Sequence, residues 1–187
     1  MSGTPPVDEL PPRLFVVTGI CGSGKSTVAR LLGERFARSV VIGGDALRRM
    51  VVGGRAEMEP DAGWEAVAQF ELRLRHLAFL AESYLHAGFT VIAEDNLLGS
   101  YLERFLAQLS TRPVHVVVLA PSAAAAARRD AGRDKQAYGA AGWTAQSLDE
   151  AFRRETAELG LWLDTSEQRA DETVDEILRR TDESALC

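Results

Sequence analysis

Five short apolar runs are spaced along the chain by longer stretches of helical period. They are Leu14–Thr18 (LFVVT), Val40–Ile42, Thr90–Ala93, Val114–Leu119 and, more weakly, Leu161–Leu163. Such runs, rich in valine, isoleucine and leucine and without strict polar alternation, are the signature of strands buried on both faces. The longest segment between them, about Glu65 to His86, places Val67, Phe70, Leu74, Leu77, Leu80, Ala81 and Tyr84 on one stripe before Gly88. That spacing predicts a long amphipathic helix with the stripe in the core. A second helix is predicted after residue 24, its apolar period carried by Val28, Leu31, Leu32 and Phe36. Ala123–Ala127 predicts another, alanine being the best helix former. Short buried strands alternating with helices predict an α/β protein: a parallel sheet covered by helices on both faces.

Length and charge narrow this picture. The 187 residues suit one domain able to bury a core without disulfides or metals. Residues 1–13, MSGTPPVDELPPR, carry four prolines and are read as a mobile leader ahead of a single domain over 14–187. A formal charge of −6 argues against a nucleic-acid or anionic-membrane surface. Cys21 and Cys187 are the only cysteines, and no apolar run reaches membrane-spanning length. A cytoplasmic location is therefore expected, with neither nucleic acid nor membrane as partner. His76, His86 and His115 fall on a helix and a strand and are read as structural; no histidine–cysteine cluster has metal-ligand spacing.

The chemistry is concentrated at the ends of the predicted strands. Directly after the first comes GICGSGKST, in which Gly19, Gly24, Lys25 and Ser26 satisfy G-x-x-x-x-G-K-[ST] between a strand and a helix. In that setting the backbone N–H groups around Gly19, Cys21, Gly22, Ser23 and Gly24 turn inward on phosphates, and the helix N-terminus adds positive potential. Lys25 is placed for the β and γ phosphates, the Ser26 hydroxyl for Mg²⁺, and Thr27 continues the loop. A nucleoside triphosphate ligand follows.

Two acidic positions follow later strands. Asp45, in VVIGGDALRRM, suits a helix N-cap and also a general base that accepts a proton from an attacking hydroxyl; the two roles are compatible. Glu94-Asp95-Asn96 closes the run TVIA. Strand alternation is read as turning Glu94 away, which leaves Asp95 to support Mg²⁺ and Asp95 with Asn96 to orient an acceptor. Between Ala127 and Gly139, Arg128, Arg129, Arg133 and Lys135 stand close together in an otherwise acidic chain. Arginines on a segment hinged by glycines are suited to closing over a transferring phosphoryl group, so a lid is read at about 128–145.

These motifs together resemble the small P-loop kinases, and among them the chloramphenicol phosphotransferase-like branch, with zeta-toxin and gluconate kinases as more distant relatives. The likeness rests on GICGSGKS, GGDALRRM, VIAEDNLLGS and RRDAGRD, with GLWLDTS similar to the last strand and the turn beside the nucleotide base. It implies a P-loop NTPase fold of three α/β/α layers, with five parallel strands ordered 2-3-1-4-5 and an arginine-bearing lid. It also implies ATP and Mg²⁺ at Lys25 and Ser26, base catalysis by Asp45, lid duties for Arg129 and Arg133, and nucleotide contacts from Asp164 and Thr165. The acceptor would lie near Arg48, Trp64, Asp95 and Asn96, with Trp64 either lining that pocket or packing on the core. Some small kinases have Asp-x-Asp after the second strand; here Gly43-Gly44-Asp45 offers one carboxylate. The activity so implied is ATP-dependent phosphorylation of a hydroxyl on a small molecule, an antibiotic or other secondary metabolite. Sugar, nucleoside and sugar-nucleotide acceptors fit the same residues; the competing class is a regulator that binds ATP without transferring phosphate and would not need Asp45.

Overall fold

The computed structural model describes residues 11–132, 138 and 142–187. Along the chain the elements are β1 (Leu14–Thr18), α1 (Lys25–Gly33), β2 (Ser39–Gly43), α2 (Gly44–Arg49), α3 (Trp64–His86) and β3 (Thr90–Glu94). They continue as α4 (Ser100–Leu106), β4 (Val114–Leu119), α5 (Ala123–Ala131), α6 (Ala145–Glu155), β5 (Leu161–Leu163), α7 (Ala170–Arg179), α8 (Thr181–Ser184) and β6 (Ala185–Leu186). The sheet order is β2-β3-β1-β4-β5, all parallel, as in P-loop NTPase kinase folds. In register, Leu14 pairs Val91 and Val114, while Gly43 pairs Glu94.

Two apolar layers cover the sheet. Phe15, Val17 and Ile92 face α1 and α7, meeting Val28, Leu32, Val174 and Ile177. Leu14, Val16, Val91 and Ala93 face the other way, toward Phe70, Leu74 and Leu77 of α3 and Phe105 of α4. Every residue of β1, β3 and β4 is buried, which is why their sequences are largely apolar without strict alternation, His115 interrupting β4. The edge strand β2 differs: Val40 packs on the core while Val41 reaches solvent.

The stripe expected on α3 is rotated. Its buried residues are Ala66, Phe70, Leu74, Leu77, Ala78 and Ala81, whereas Val67 and Leu80 are half-buried and Tyr84 is exposed. The helix outruns the sheet, and Tyr84 instead meets Phe89 edge-on at 5.9 Å. Of residues 1–13, read as a leader, 1–10 lie outside the described residues, as do positions 133–137 and 139–141 of the expected lid. Among the described residues no helix is long and apolar enough to cross a membrane.

The C-terminus was not foreseen: β6 pairs antiparallel with β4. His115 is buried beneath it, its Nδ1 3.0 Å from Ser184 Oγ and its ring stacked on Phe15 at 4.9 Å. Burial pushes the imidazole below its ordinary value of 6.5, partly opposed by the Thr181 carbonyl. Below that value the unfolded chain binds a proton that the folded chain refuses. The stabilisation is therefore complete above pH 6.5 and is lost as pH falls toward the folded value, by at most about 1.4 kcal/mol per pH unit. Melting temperature should fall more steeply in wild type than in His115→Phe between about pH 7.5 and 5.5. Parallel curves would remove His115 as the cause.

Candidate functional site

The loop between β1 and α1 is shaped by contacts that only glycine permits. Gly22 has φ +73°, and a Cβ there would lie 2.3 Å from the Ala126 carbonyl of α5. Gly19 approaches the Leu119 carbonyl equally closely, so it seats the loop on β4 rather than lining the cavity. Gly24, the N-cap of α1 at φ +96°, has nothing within 4 Å of its would-be Cβ; this is the open side, where a phosphate fits. Lys25 is buried and donates from Nζ to the Ile20 carbonyl at 2.9 Å, folded back over the loop. A cavity of about 430 Å³ opens here between residues 22–28 and Arg129, Thr165, Gln168, Arg169 and Thr173.

The ends of β2 and β3 pack against one another. A Cβ on Gly43 would lie 2.8 Å from Glu94 Oε1, and one on Gly44 only 1.9 Å from Asp95 Oδ2. The two glycines therefore make room for the two carboxylates. Here the structure corrects the expectation: Glu94 is the carboxylate that meets the phosphate loop, accepting from Ser26 Oγ at 2.9 Å. Asp95 instead lies 2.9 Å from Arg73 Nε of α3, accepts from Arg73 Nη2 at 3.2 Å and takes the Asn96 N–H at 2.8 Å. It belongs to a buried ion pair rather than to Ser26. The reason is phase: Glu94 follows Ile92 by two residues and shares its face, where α1 packs. Burial pushes the Glu94 carboxyl upward, against the pull of Lys25 and the Ser26 hydroxyl. Burial likewise raises Asp95, against Arg73.

Asp45 stands in the first turn of α2, whose N-cap is Gly43, so its carboxylate is not the cap. Arg48 Nε donates to it at 2.8 Å, and Arg49 Nη2 lies 3.1 Å away. Arg48 also pairs with Glu57 on the connection between α2 and α3, which brings that loop back beside Asp45. Gln69 of α3 fastens the same loop by accepting from Ala56 N at 3.0 Å and donating to Gly54 O at 2.8 Å. Of the two positions left open for Trp64, the core is excluded: the ring is 80% exposed at the start of α3. Asn96 turns toward the phosphate loop, its Nδ2 3.2 Å from Cys21 Sγ.

Arg129 is no free arm. It is part of α5, and its guanidinium donates to the carbonyls of Ser166 and Gln168 at 3.3 and 3.4 Å and reaches Ser23 O at 3.5 Å. It ties the phosphate loop to the turn after β5. In that turn Thr165 lines the cavity, whereas exposed Asp164 shapes the backbone by accepting from Ser166 N at 2.9 Å. Arg133, expected beside Arg129, lies outside the described residues, as does Lys135. Sequence reasoning missed Gln168, Arg169 and Thr173 on the cavity wall; they follow Thr165 closely, but no motif marks them. It also missed Tyr138, whose hydroxyl donates to the Cys21 carbonyl at 2.5 Å and which burial holds above its ordinary pKa.

Comparison with solved structures returns the same architecture at low identity. A sugar kinase from a Janibacter species is 21% identical with a TM-score of 0.65, covering 93% of this chain and 96% of its own. A gluconokinase from Sinorhizobium meliloti is also 21% identical, TM-score 0.61, covering 91% and 94%. A tunicamycin resistance protein from Deinococcus radiodurans is 18% identical, TM-score 0.61, covering 94% and 99%. No curated protein sequence matches. A family model described as an AAA domain matches residues 14–159. On that match, over most of its length and including the phosphate loop, the chain belongs to the AAA_33 family.

Proposed function

We propose that this protein is an ATP-dependent phosphotransferase that phosphorylates a hydroxyl group of a small molecule. The supporting observation is the convergence of three groups at one end of the sheet. Glu94 is hydrogen-bonded to Ser26 and lies within the electrostatic reach of both Lys25 and Asp45. In geometry, the Ser26 hydroxyl next to Lys25 donates to Glu94, and Gly43, two residues before Asp45, lies against the same carboxylate. Similarity to kinases of sugars and gluconate favours transfer over sensing, and the tunicamycin resistance protein favours an antibiotic or similar metabolite as acceptor. A place in the chloramphenicol phosphotransferase-like branch accords with the same acceptor.

In this reading the triphosphate occupies the cavity above residues 22–28, and Lys25 exchanges the Ile20 carbonyl for phosphate oxygens. The Ser26 hydroxyl and Glu94 carboxylate form a hard-oxygen donor pair that fits Mg²⁺. Among the described residues no group of three or more protein ligands is present, so phosphate and water would complete its shell. When bound, Mg²⁺ neutralises charge on the phosphates. Asp45 accepts the acceptor's hydroxyl proton as the new O–P bond forms and the bond to the ADP oxygen breaks.

The test is ATP consumption by the purified protein with and without a panel of hydroxyl-bearing antibiotics, nucleosides and sugars, with mass spectrometry for the added phosphate. Acceptor-dependent turnover is expected, and Asp45→Ala should lower it by about 10²-fold. Slow hydrolysis that no acceptor stimulates, unchanged in Asp45→Ala, would instead identify a nucleotide-dependent regulator. Glu94→Gln should raise the Mg²⁺ concentration needed for half-maximal binding of a fluorescent ATP analogue by about tenfold. An unchanged Mg²⁺ requirement would release Glu94 from that role.

A further inference from the structure

The connection from α2 to α3 presents large apolar side chains to solvent: Met50 is 73% exposed, Val52 96% and Trp64 80%, with Met58 also exposed. A surface loop gains nothing from exposing four such side chains in so short a span unless something covers them. The loop that carries them is tied beside Asp45, because Arg48 joins Asp45 to Glu57 and Gln69 holds the loop at Gly54 and Ala56.

Charge narrows what the cover is. From Met50 to Glu65 the chain has one arginine, Arg55, against Glu57, Glu59, Asp61 and Glu65. Each described arginine around the loop already faces a carboxylate: Arg48 faces Asp45 and Glu57, Arg49 Asp45, Arg55 Glu57 and Arg73 Asp95. Glu59 and Asp61 are exposed and have no cationic partner among the described residues. Among the described residues an anionic acceptor would meet no unpaired arginine here, and it would meet two uncompensated carboxylates. A cationic one finds those carboxylates, and the open indole face of Trp64 beside Glu65 offers a further cation site.

We infer that the acceptor is a hydroxyl compound with an apolar body and a cationic centre, the body covered by Met50, Val52 and Trp64 and the cation held near Glu59 and Asp61. This rests on the phosphotransferase reading above. The chemistry of the acceptor, not the shape of a preformed pocket, carries the selectivity.

A matched series of probes tests it: para-aminomethyl benzyl alcohol (cationic), benzyl alcohol (neutral) and para-hydroxymethyl benzoate (anionic). Binding is read in the presence of ADP and Mg²⁺, where no transfer occurs, as the emission change of wild type that is missing from Trp64→Phe. Phosphate transfer from ATP is read separately. The ammonium probe should bind about tenfold more tightly than the carboxylate, with the neutral alcohol between them, at low ionic strength. Glu59→Lys combined with Asp61→Lys should erase that order while affinity for an ATP analogue stays unchanged. Tightest binding of the carboxylate, equal binding of all three, or no Trp64-dependent change at millimolar probe overturns the inference. Ordered binding without any transfer would remove the phosphotransferase reading and leave the acceptor class standing. Transfer favouring the anionic probe would do the reverse.

Discussion

Replacing Lys25 with methionine is expected to lower phosphoryl transfer by about 10³-fold or more and to leave the fold intact. Methionine keeps the length and apolar stem of a side chain that is 9% exposed, so the packing at the start of α1 survives. The loss in the ligand-free protein is one hydrogen bond to the Ile20 carbonyl, worth about 1 kcal/mol, together with the attraction of Lys25 for the buried Glu94 carboxylate. The loss during transfer is far larger, because the two described arginines on the cavity wall, Arg129 and Arg169, are already engaged. Arg129 spends its donors on the carbonyls of Ser166 and Gln168, and Arg169 pairs with Asp171. Single-turnover transfer measured alongside thermal melts separates the two effects. A melt lowered by a few degrees with transfer near zero is the expected pair. Transfer within tenfold of wild type would mean that the charge is carried elsewhere.

The parts of this site that were legible in the sequence are those set by contiguous residues. The phosphate loop is one, because a strand, a glycine turn and a helix N-terminus follow one another without interruption from Leu14 to Gly33. Strand order was legible only through family resemblance. The error at Glu94 and Asp95 has a definite physical source. Strand alternation does fix that adjacent residues face opposite sides, but β3 is buried on both faces, so no polar side reveals which face carries α1. The decisive fact is the pairing of Val17 with Glu94 and the packing of Ile92 against α1, both long-range. Tyr138, Arg169 and the Arg48–Glu57 link were hidden for the same reason: their partners are remote or lie across a loop without periodicity. By contrast, the doubled glycine before Asp45 was visible, but its purpose was not. The structure shows that purpose, an approach to two carboxylates.

That purpose makes Gly44→Ala the substitution with the largest expected effect on stability. Gly44 is the first residue of α2 and has no positive φ, so on helix propensity alone alanine should stabilise by roughly 0.4–1 kcal/mol. Sterics reverse the sign. The new Cβ would fall 1.9 Å from Asp95 Oδ2 and 2.2 Å from its Cγ, and the carboxylate has no room to retreat, being 7% exposed and fastened to Arg73 and to Asn96 N. Displacing it breaks a buried ion pair and leaves both charges unmatched, at a cost of about 3–5 kcal/mol. For a chain of this size that corresponds to a fall in melting temperature on the order of 10 °C. The cause is separable by a double-mutant cycle. In an Asp95→Ala background, already destabilised because Arg73 has lost its partner, Gly44→Ala should add little or even stabilise. Equal losses in the two backgrounds would show that the glycine is required for some reason other than the carboxylate beneath it.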